Sequence, residues 1–274
     1  MSLFTVFGGN GFIGSKFVDE LINLGHDVFV PKRDDLTIFQ KHLGVVIYSA
    51  GAGDCDEEPF NVFEANTMLL ANVLKNADFT KIIYISSNRV YMNGDHSDVG
   101  NDLIINENDN RRLFNLTKLT AEELCRKSGK EHLIIRPSNV YGSAFNSKLF
   151  LPSIVRNAIE KGEVNMYVPP SYSKDYVSVE DVVRVTLKLI FKGDTGNINI
   201  FNVASGENTR ADDIAKLLEI KTDCKINWFN NGDCEKFPLC DIKPIQGLID
   251  YKPRNVLDDL SCMVESFSNF KGNI

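Results

Sequence analysis

The stretch Leu3-Phe4-Thr5-Val6-Phe7-Gly8-Gly9-Asn10-Gly11-Phe12-Ile13-Gly14 decides the fold. Five residues rich in β-formers run into a glycine turn, which reads as a strand that ends abruptly. Beyond the turn, Ile13, Phe17, Leu21 and Leu24 recur at helical spacing until Gly25, and the apolar run at 28–30 is the next strand. Strand, glycine turn, helix and strand in so short a span form a βαβ unit. Gly8, Gly11 and Gly14 stand at GxxGxxG spacing, so the backbone can turn tightly and, with Phe12 and Ile13 in the first helical turn, a pyrophosphate can approach free N–H groups. Dinucleotide binding is the functional reading, and a purely structural turn is its alternative. Residues 9–16 also read GxxxxGSK, but a mononucleotide P-loop requires lysine before serine, and here the order is reversed.

Working outward, the second strand ends in Val30-Pro31-Lys32-Arg33-Asp34-Asp35. A carboxylate at such a position accepts from a ribose 2′-hydroxyl, whereas cations suit a 2′-phosphate. Lys32 and Arg33 therefore favour NADP, with NAD as the alternative that Asp34 keeps open. Further buried strands are expected at 45–49, 81–85 and 132–135, between helices at 60–76 and 115–128. This alternation predicts a parallel sheet covered on both faces. After Gly142 the alternation weakens into proline and polar clusters, followed by a helix at 179–191, a strand at 198–201, a helix at 209–218 and a loop-rich tail.

Composition limits the function classes. The 274 residues are 43% hydrophobic and 24% charged, within the globular range. Thirty basic against 37 acidic residues leave a net charge of −7, the wrong sign for a protein that grips nucleic-acid phosphates. No apolar run reaches the length of a membrane span and the N-terminal residues lack a basic start, so a cytoplasmic protein is expected. The six cysteines form no CxxC pair and read as free cytosolic thiols, and the four scattered histidines suggest no metal site.

The motifs resemble the extended short-chain dehydrogenase/reductases, specifically the nucleotide-sugar epimerase/dehydratase/reductase group, over nearly the whole chain. The resemblance rests on the glycine turn, Tyr48-Ser49-Ala50-Gly51, Asn66, Ser86-Ser87-Asn88-Arg89-Val90-Tyr91, Lys118 and Arg136-Pro137-Ser138-Asn139-Val140-Tyr141-Gly142. It continues through Lys174-Asp175-Tyr176-Val177-Ser178-Val179-Glu180-Asp181 and Phe201-Asn202-Val203-Ala204-Ser205-Gly206. It implies a Rossmann-type, doubly wound α/β sheet domain (1–142 and 177–200) and a smaller C-terminal substrate-binding lobe (143–176 and 201–274). A nicotinamide cofactor and a nucleoside-diphosphate sugar would lie between them, with a homodimer formed through the helices at 60–76 and 115–128.

By this resemblance Asp35 and Leu36 lie by the adenine, and Ala50, Gly51 and Pro137 line the cofactor site. Lys118 holds the nicotinamide ribose and Ser87 bonds the reacting sugar oxygen. Asn139 and Lys174 contact the substrate diphosphate, Lys174 standing where arginine is frequent. The chain departs from the pattern at the centre: YxxxK requires a tyrosine where Phe114 stands, four residues before Lys118. A phenylalanine exchanges no proton, and losing a positioned acid/base costs about 10²- to 10⁴-fold in rate. Three explanations stay open: an enzyme with another donor (Tyr91, Tyr141, Lys118 or a water on Ser87), a non-catalytic relative, or a deliberate Tyr→Phe change.

The short interval between the second and third strands resembles the keto-sugar reductases of the group. Reduction of a 4-keto sugar nucleotide is therefore favoured, epimerisation comes next, and a dinucleotide-binding pseudoenzyme acting as scaffold or sensor is the alternative from another class. Residues 54–58 read as a solvated acidic loop rather than a cation site, Arg111-Arg112 as a surface pair with contact to a substrate phosphate as the alternative, and Trp228 as a packing residue.

Overall fold

The computed structural model describes residues 1–196, 198–229 and 234–271. The lobe boundaries expected from the sequence also take in 197, 230–233 and 272–274, which lie outside the described residues. In chain order the elements begin β1 (Leu3–Phe7), α1 (Phe12–Asn23), β2 (Asp27–Phe29), β3 (Val45–Tyr48) and α2 (Pro59–Phe63). A π turn (Glu64–Met68) leads into α3 (Leu69–Asn76), followed by β4 (Lys81–Ile85), α4 (Arg112–Lys127), β5 (His132–Pro137) and β6 (Asn139–Tyr141). The chain continues through α5 (Phe150–Lys161), β7 (Glu163–Met166), β8 (Ser173–Ser178), α6 (Val179–Lys192), β9 (Ile200–Val203) and β10 (Asn208–Arg210). It closes with α7 (Ala211–Thr222), β11 (Lys225–Trp228), α8 (Lys243–Gln246) and α9 (Val256–Lys271).

Six strands form one parallel sheet in the order β2-β1-β3-β4-β5-β9. Successive residues point to opposite faces. Phe4, Val6, Ile47, Ile83 and Ile135 pack beneath Phe17 and Leu21 of α1 and Val182, Val185 and Leu189 of α6. Val46, Tyr48, Ile82, Tyr84 and Ile134 face Leu70 and Val73 of α3 and Ala121 and Cys125 of α4. After β2 the chain crosses β1 to form β3 on its other side, which opens a crevice at the carboxyl ends of β1 and β3.

The smaller lobe combines a three-stranded sheet, β10-β8-β6, with the pair β11-β7. Its core comes from Leu151, Ile154 and Val155 of α5, Ile214 and Leu218 of α7, and Leu260, Met263 and Phe267 of α9. Asp175 on β8 ties the lobes together: its buried carboxylate accepts from Ser138 Oγ at 2.6 Å and from the N–H groups of Ser205 at 2.9 Å and Gly206 at 2.7 Å.

The structure corrects the sequence reading in five places. The tail expected to be loop-rich ends in α9, whose core positions Val256, Leu260, Met263, Val264 and Phe267 follow helical spacing. The loose excursion after Gly142 contains α5, where Pro152 sits in the first turn and its missing N–H breaks no helical bond. Thr209 is not helical: it pairs with Lys174 across β10 and β8, and the helix starts at Ala211. Trp228 is partly exposed at the end of β11 instead of packed, and all of β9 belongs to the large sheet.

Candidate active site

The glycine turn after β1 has no room for side chains. Gly8 adopts φ +74°, and a Cβ there would lie 2.6 Å from the Ala50 nitrogen; at Gly14 a Cβ would meet the Gly8 carbonyl oxygen at 2.1 Å. Gly11 caps α1 without a side-chain acceptor, so N–H groups of the first turn stay available at the positive end of the helix dipole. In front of them is a cavity of about 440 Å³, walled by residues 8–11, 31–34 and 49–51 and by Glu64, Ala65, Met68 and Leu69 of the π turn and α3. Lys32 and Arg33 both line it. Arg33 Nη2 donates to Asn61 Oδ1 at 2.7 Å, and Asn61 Nδ2 donates to Glu58 Oε2 at 2.7 Å, which holds the guanidinium toward α2. A glycine cradle, free N–H groups and two cations at the far wall fit a dinucleotide.

Asp35 and Leu36 do not line this cavity. The Asp35 carboxylate accepts from the N–H of Thr37 at 2.9 Å and its hydroxyl at 2.6 Å, capping the 3₁₀ turn Leu36–Phe39, and Leu36 is exposed. Phe12 reaches the other way, its ring 3.1 Å from where a Gly142 Cβ would stand, and Ile13 packs against the core of the sheet domain. Pro137 is buried at the end of β5.

Lys118 on α4 adjoins the inner end of the groove: a Cβ at Gly51 would be 3.5 Å from its Nζ. The side chain is buried, and Nζ donates to the carbonyl oxygen of Ile85 at 3.0 Å. Asn66, buried in the π turn, exchanges hydrogen bonds with Ala52 N and O, both at 3.1 Å, and donates to Thr117 Oγ1 at 3.0 Å, fixing the loop after β3 against α4. Nζ lies 5.0 Å from the Tyr84 ring centroid and 5.7 Å from that of Phe114. No carboxylate pairs with it among the described residues, and burial pulls its pKa down to about 8. Ser87 follows β4, its Oγ accepting from the N–H of Arg89 at 3.1 Å, which leaves its own proton free to donate.

Two of the four alternative proton donors are committed elsewhere. The Tyr91 hydroxyl accepts from Arg136 Nη1 at 2.6 Å and donates to Asn202 Oδ1 at 2.8 Å, while Tyr141 donates to Asp259 Oδ2 at 2.8 Å. Burial raises both phenols above the ordinary tyrosine pKa. Tyr91 is part of a buried network in which Glu122 accepts from Ser86 Oγ at 2.5 Å and from Arg136 Nε at 2.9 Å and Nη2 at 2.5 Å.

Asn139 and Lys174 sit on adjacent strands, β6 and β8. The Asn139 amide donates to the Asp175 carbonyl at 2.7 Å, and Lys174 Nζ lies over the Tyr172 ring at 5.3 Å. Two other cations lie nearby, acting electrostatically on Lys174. Arg89 is buried between Asp109 and Glu235, each at 2.6 Å. Arg111 is not half of a surface pair: only Arg112 turns outward, to Glu107, whereas the Arg111 guanidinium lies 4.9 Å from the Phe114 ring centroid. Arg89 inside the Ser86–Tyr91 motif and Arg111 three residues before the expected tyrosine were the signals available.

Comparison with known proteins agrees with this geometry. The model of the NAD dependent epimerase/dehydratase family matches residues 4–204. GDP-6-deoxy-D-mannose reductase of Pseudomonas aeruginosa is 27% identical over 249 residues, covering 78% of each protein. A putative UDP-glucose 4-epimerase of Methanocaldococcus jannaschii is 27% identical over 259 residues, covering 78% of this chain and 80% of that protein. Among solved structures, the epimerase Mth375 of Methanothermobacter thermautotrophicus superposes with a TM-score of 0.82 at 18% identity over 99% of this chain and 94% of its own. UDP-glucuronic acid 4-epimerase of Bacillus cereus in complex with NAD gives 0.79 at 20% over 99% and 98%. At these identities the structures establish the fold.

Proposed function

The chain belongs to the NAD dependent epimerase/dehydratase family, and from that premise we propose that it is an NAD(P)-dependent oxidoreductase of nucleoside-diphosphate sugars that reduces a 4-keto sugar. The observation that carries this reading is Lys118: a buried ammonium without a carboxylate partner, adjoining both the glycine-lined groove and Phe114. When bound, the dinucleotide supplies the hydride. Ser87 donates its free hydroxyl proton as a hydrogen bond to the sugar's carbonyl oxygen and orients it. Lys118 passes a proton from Nζ to that oxygen, leaving a neutral amine that solvent reprotonates. A pKa of about 8 matches donor to task near neutral pH. Asn66 positions Lys118 by pinning Thr117 and the loop at Ala52. Lys174 and Asn139 meet the substrate diphosphate, and Lys32 with Arg33 favour the 2′-phosphate of NADP.

The reading carries a homodimer through the region of α2, α3 and α4, where Phe60, Phe63 and Leu116 are exposed apolar residues. No helix among the described residues is long and apolar enough to cross a membrane.

The test is to supply purified protein and NADPH or NADH with a panel of 4-keto nucleotide sugars and follow loss of the reduced cofactor. Oxidation with one member supports reduction. Interconversion of 4-epimers with no net cofactor change would transfer the assignment to epimerisation. The second reading, a dinucleotide-binding pseudoenzyme, is favoured by the absent phenol at Phe114; it requires cofactor binding with no turnover in either this chain or Phe114→Tyr.

A further inference from the structure

Arg89, Arg111 and Lys174 lie within electrostatic reach of one another, and among the described residues two carboxylates, Asp109 and Glu235, act on these three cations. Arg89, 6% exposed, takes both carboxylates, from Asp109 and Glu235. Asp109 has further obligations: it accepts from the backbone N–H of Arg111 at 2.9 Å and from Asn115 Nδ2 at 2.9 Å. Arg111 and Lys174 make no ion pair with any described residue, and Arg111 Nε is sealed from solvent without an acceptor, as is Arg89 Nε. Burial lowers the pKa of both Arg111 and Lys174 and repulsion from Arg89 adds to it, while attraction from Glu235 opposes the shift in each case. Partly desolvated cations that outnumber the carboxylates beside them are unfavourable unless a further anion joins them.

Position identifies the anion. Lys174 stands on β8 and belongs to the diphosphate end. Arg111 packs on the ring of Phe114, the same ring that lies 5.7 Å from Lys118 Nζ, and its Nη2 is 3.2 Å from where a Gly53 Cβ would stand. That is the reacting end, where the sugar itself sits. Its planar fork suits a carboxylate, which it can grip through two parallel hydrogen bonds.

We propose that Arg111, held over the Phe114 ring and backed by Arg89, binds a carboxylate on the sugar ring, so that the substrate is a nucleoside-diphosphate uronic acid. This rests on the nucleotide-sugar reading above. The aromatic ring has a role here that a phenol would not improve: it is the platform that holds the guanidinium in the site.

Calorimetry on the full chain with NAD⁺ tests this using matched ligands: UDP-glucuronate against UDP-glucose, GDP-mannuronate against GDP-mannose, and UDP and GDP alone. One acidic sugar should bind roughly tenfold or more tightly than its neutral partner. Arg111→Met should bring the two to equal affinity, and Arg111→Lys, which keeps the charge without the fork, should give an intermediate preference. If acidic and neutral sugars bind within about twofold of each other on both bases, the inference is overturned and the nucleotide-sugar reading stands. If Arg111→Met weakens acidic sugar, neutral sugar and nucleoside diphosphate alike, Arg111 serves the diphosphate and the inference is again overturned. Absence of binding by every sugar and diphosphate overturns the nucleotide-sugar reading itself.

Discussion

Lys118 Nζ donates to the carbonyl oxygen of Ile85 at 3.0 Å, and that carbonyl is the only acceptor it bonds among the described residues. A buried cation with so little compensation destabilises the fold. Burial is the main cause of its lowered pKa, with Glu122 opposing. The native pKa of about 8 lies below the ordinary 10.5, so between these values the native state binds fewer protons than the unfolded state and stability from this group rises with pH. At pH 7 both states are protonated and the penalty is fully present. Lys118→Met should therefore stabilise the protein at pH 7, by on the order of 2 kcal/mol after loss of one hydrogen bond. The gain should shrink above pH 8 and vanish near 10.5, as read by urea denaturation at several pH values.

The same group predicts the direction of a pH–rate profile. In reduction Nζ must carry a proton, so turnover should fall as pH rises through about 8; in oxidation of the alcohol the amine must be neutral and the rate should rise through the same value. Pre-steady-state rates in both directions check this. An inflection near the ordinary tyrosine value in both would point to a phenol instead.

Phe114→Tyr restores the missing oxygen on a ring 5.7 Å from Lys118 Nζ. Tyrosine next to a lysine has its pKa lowered and can exchange protons with a sugar hydroxyl. A gain of about 10²- to 10⁴-fold in turnover is expected if proton transfer limits the rate. It should be accompanied by weaker dependence on Lys118 protonation, measured as a shift of the inflection in the same profile.

The residues explain why some of this was visible in the sequence and some was not. Gly8, Gly11 and Gly14 were legible because their constraint is local: a turn, a helix end and no room for Cβ. The places of Lys118 and Ser87, on α4 and just after β4, could be read beforehand because motifs tie them to those elements. The placement of Arg111 could not, because nothing in Arg111-Arg112 says which side chain turns inward; that depends on the Phe114 ring and on Asp109 holding its backbone N–H. The cluster also needs Glu235, 146 residues from Arg89 along the chain. Helix α9 was missed for another reason: its Cys, Ser and Asn residues blur the apolar period that Leu260, Met263 and Phe267 carry.

Glu122 and Arg136 are both buried and joined by two hydrogen bonds, with Ser86 and Tyr91 attached. Glu122→Gln removes the negative charge and leaves a guanidinium in the core. A loss of about 3–5 kcal/mol in unfolding free energy is expected, because breaking a buried pair is far more costly than exchanging it for apolar residues. Since Glu122 also supports the charge on Lys118, surviving folded protein should show the rate inflection moved below 8. Replacing both partners with methionine should recover part of the stability but not the inflection.

Arg33 lines the dinucleotide groove while its guanidinium is held toward α2 by Asn61. A 2′-phosphate placed there would meet a cation already oriented, and charge-assisted bonds of this kind contribute about 1.5–3 kcal/mol. Arg33→Ala should therefore weaken NADPH by roughly tenfold or more and leave NADH within about twofold, measured by fluorescence titration of the two cofactors side by side. Asn61→Ala separates charge from tether: it keeps the guanidinium but frees it, so NADPH should weaken less than with Arg33→Ala. Equal losses for both cofactors in Arg33→Ala would assign Arg33 to the shape of the groove and remove the basis for an NADP preference.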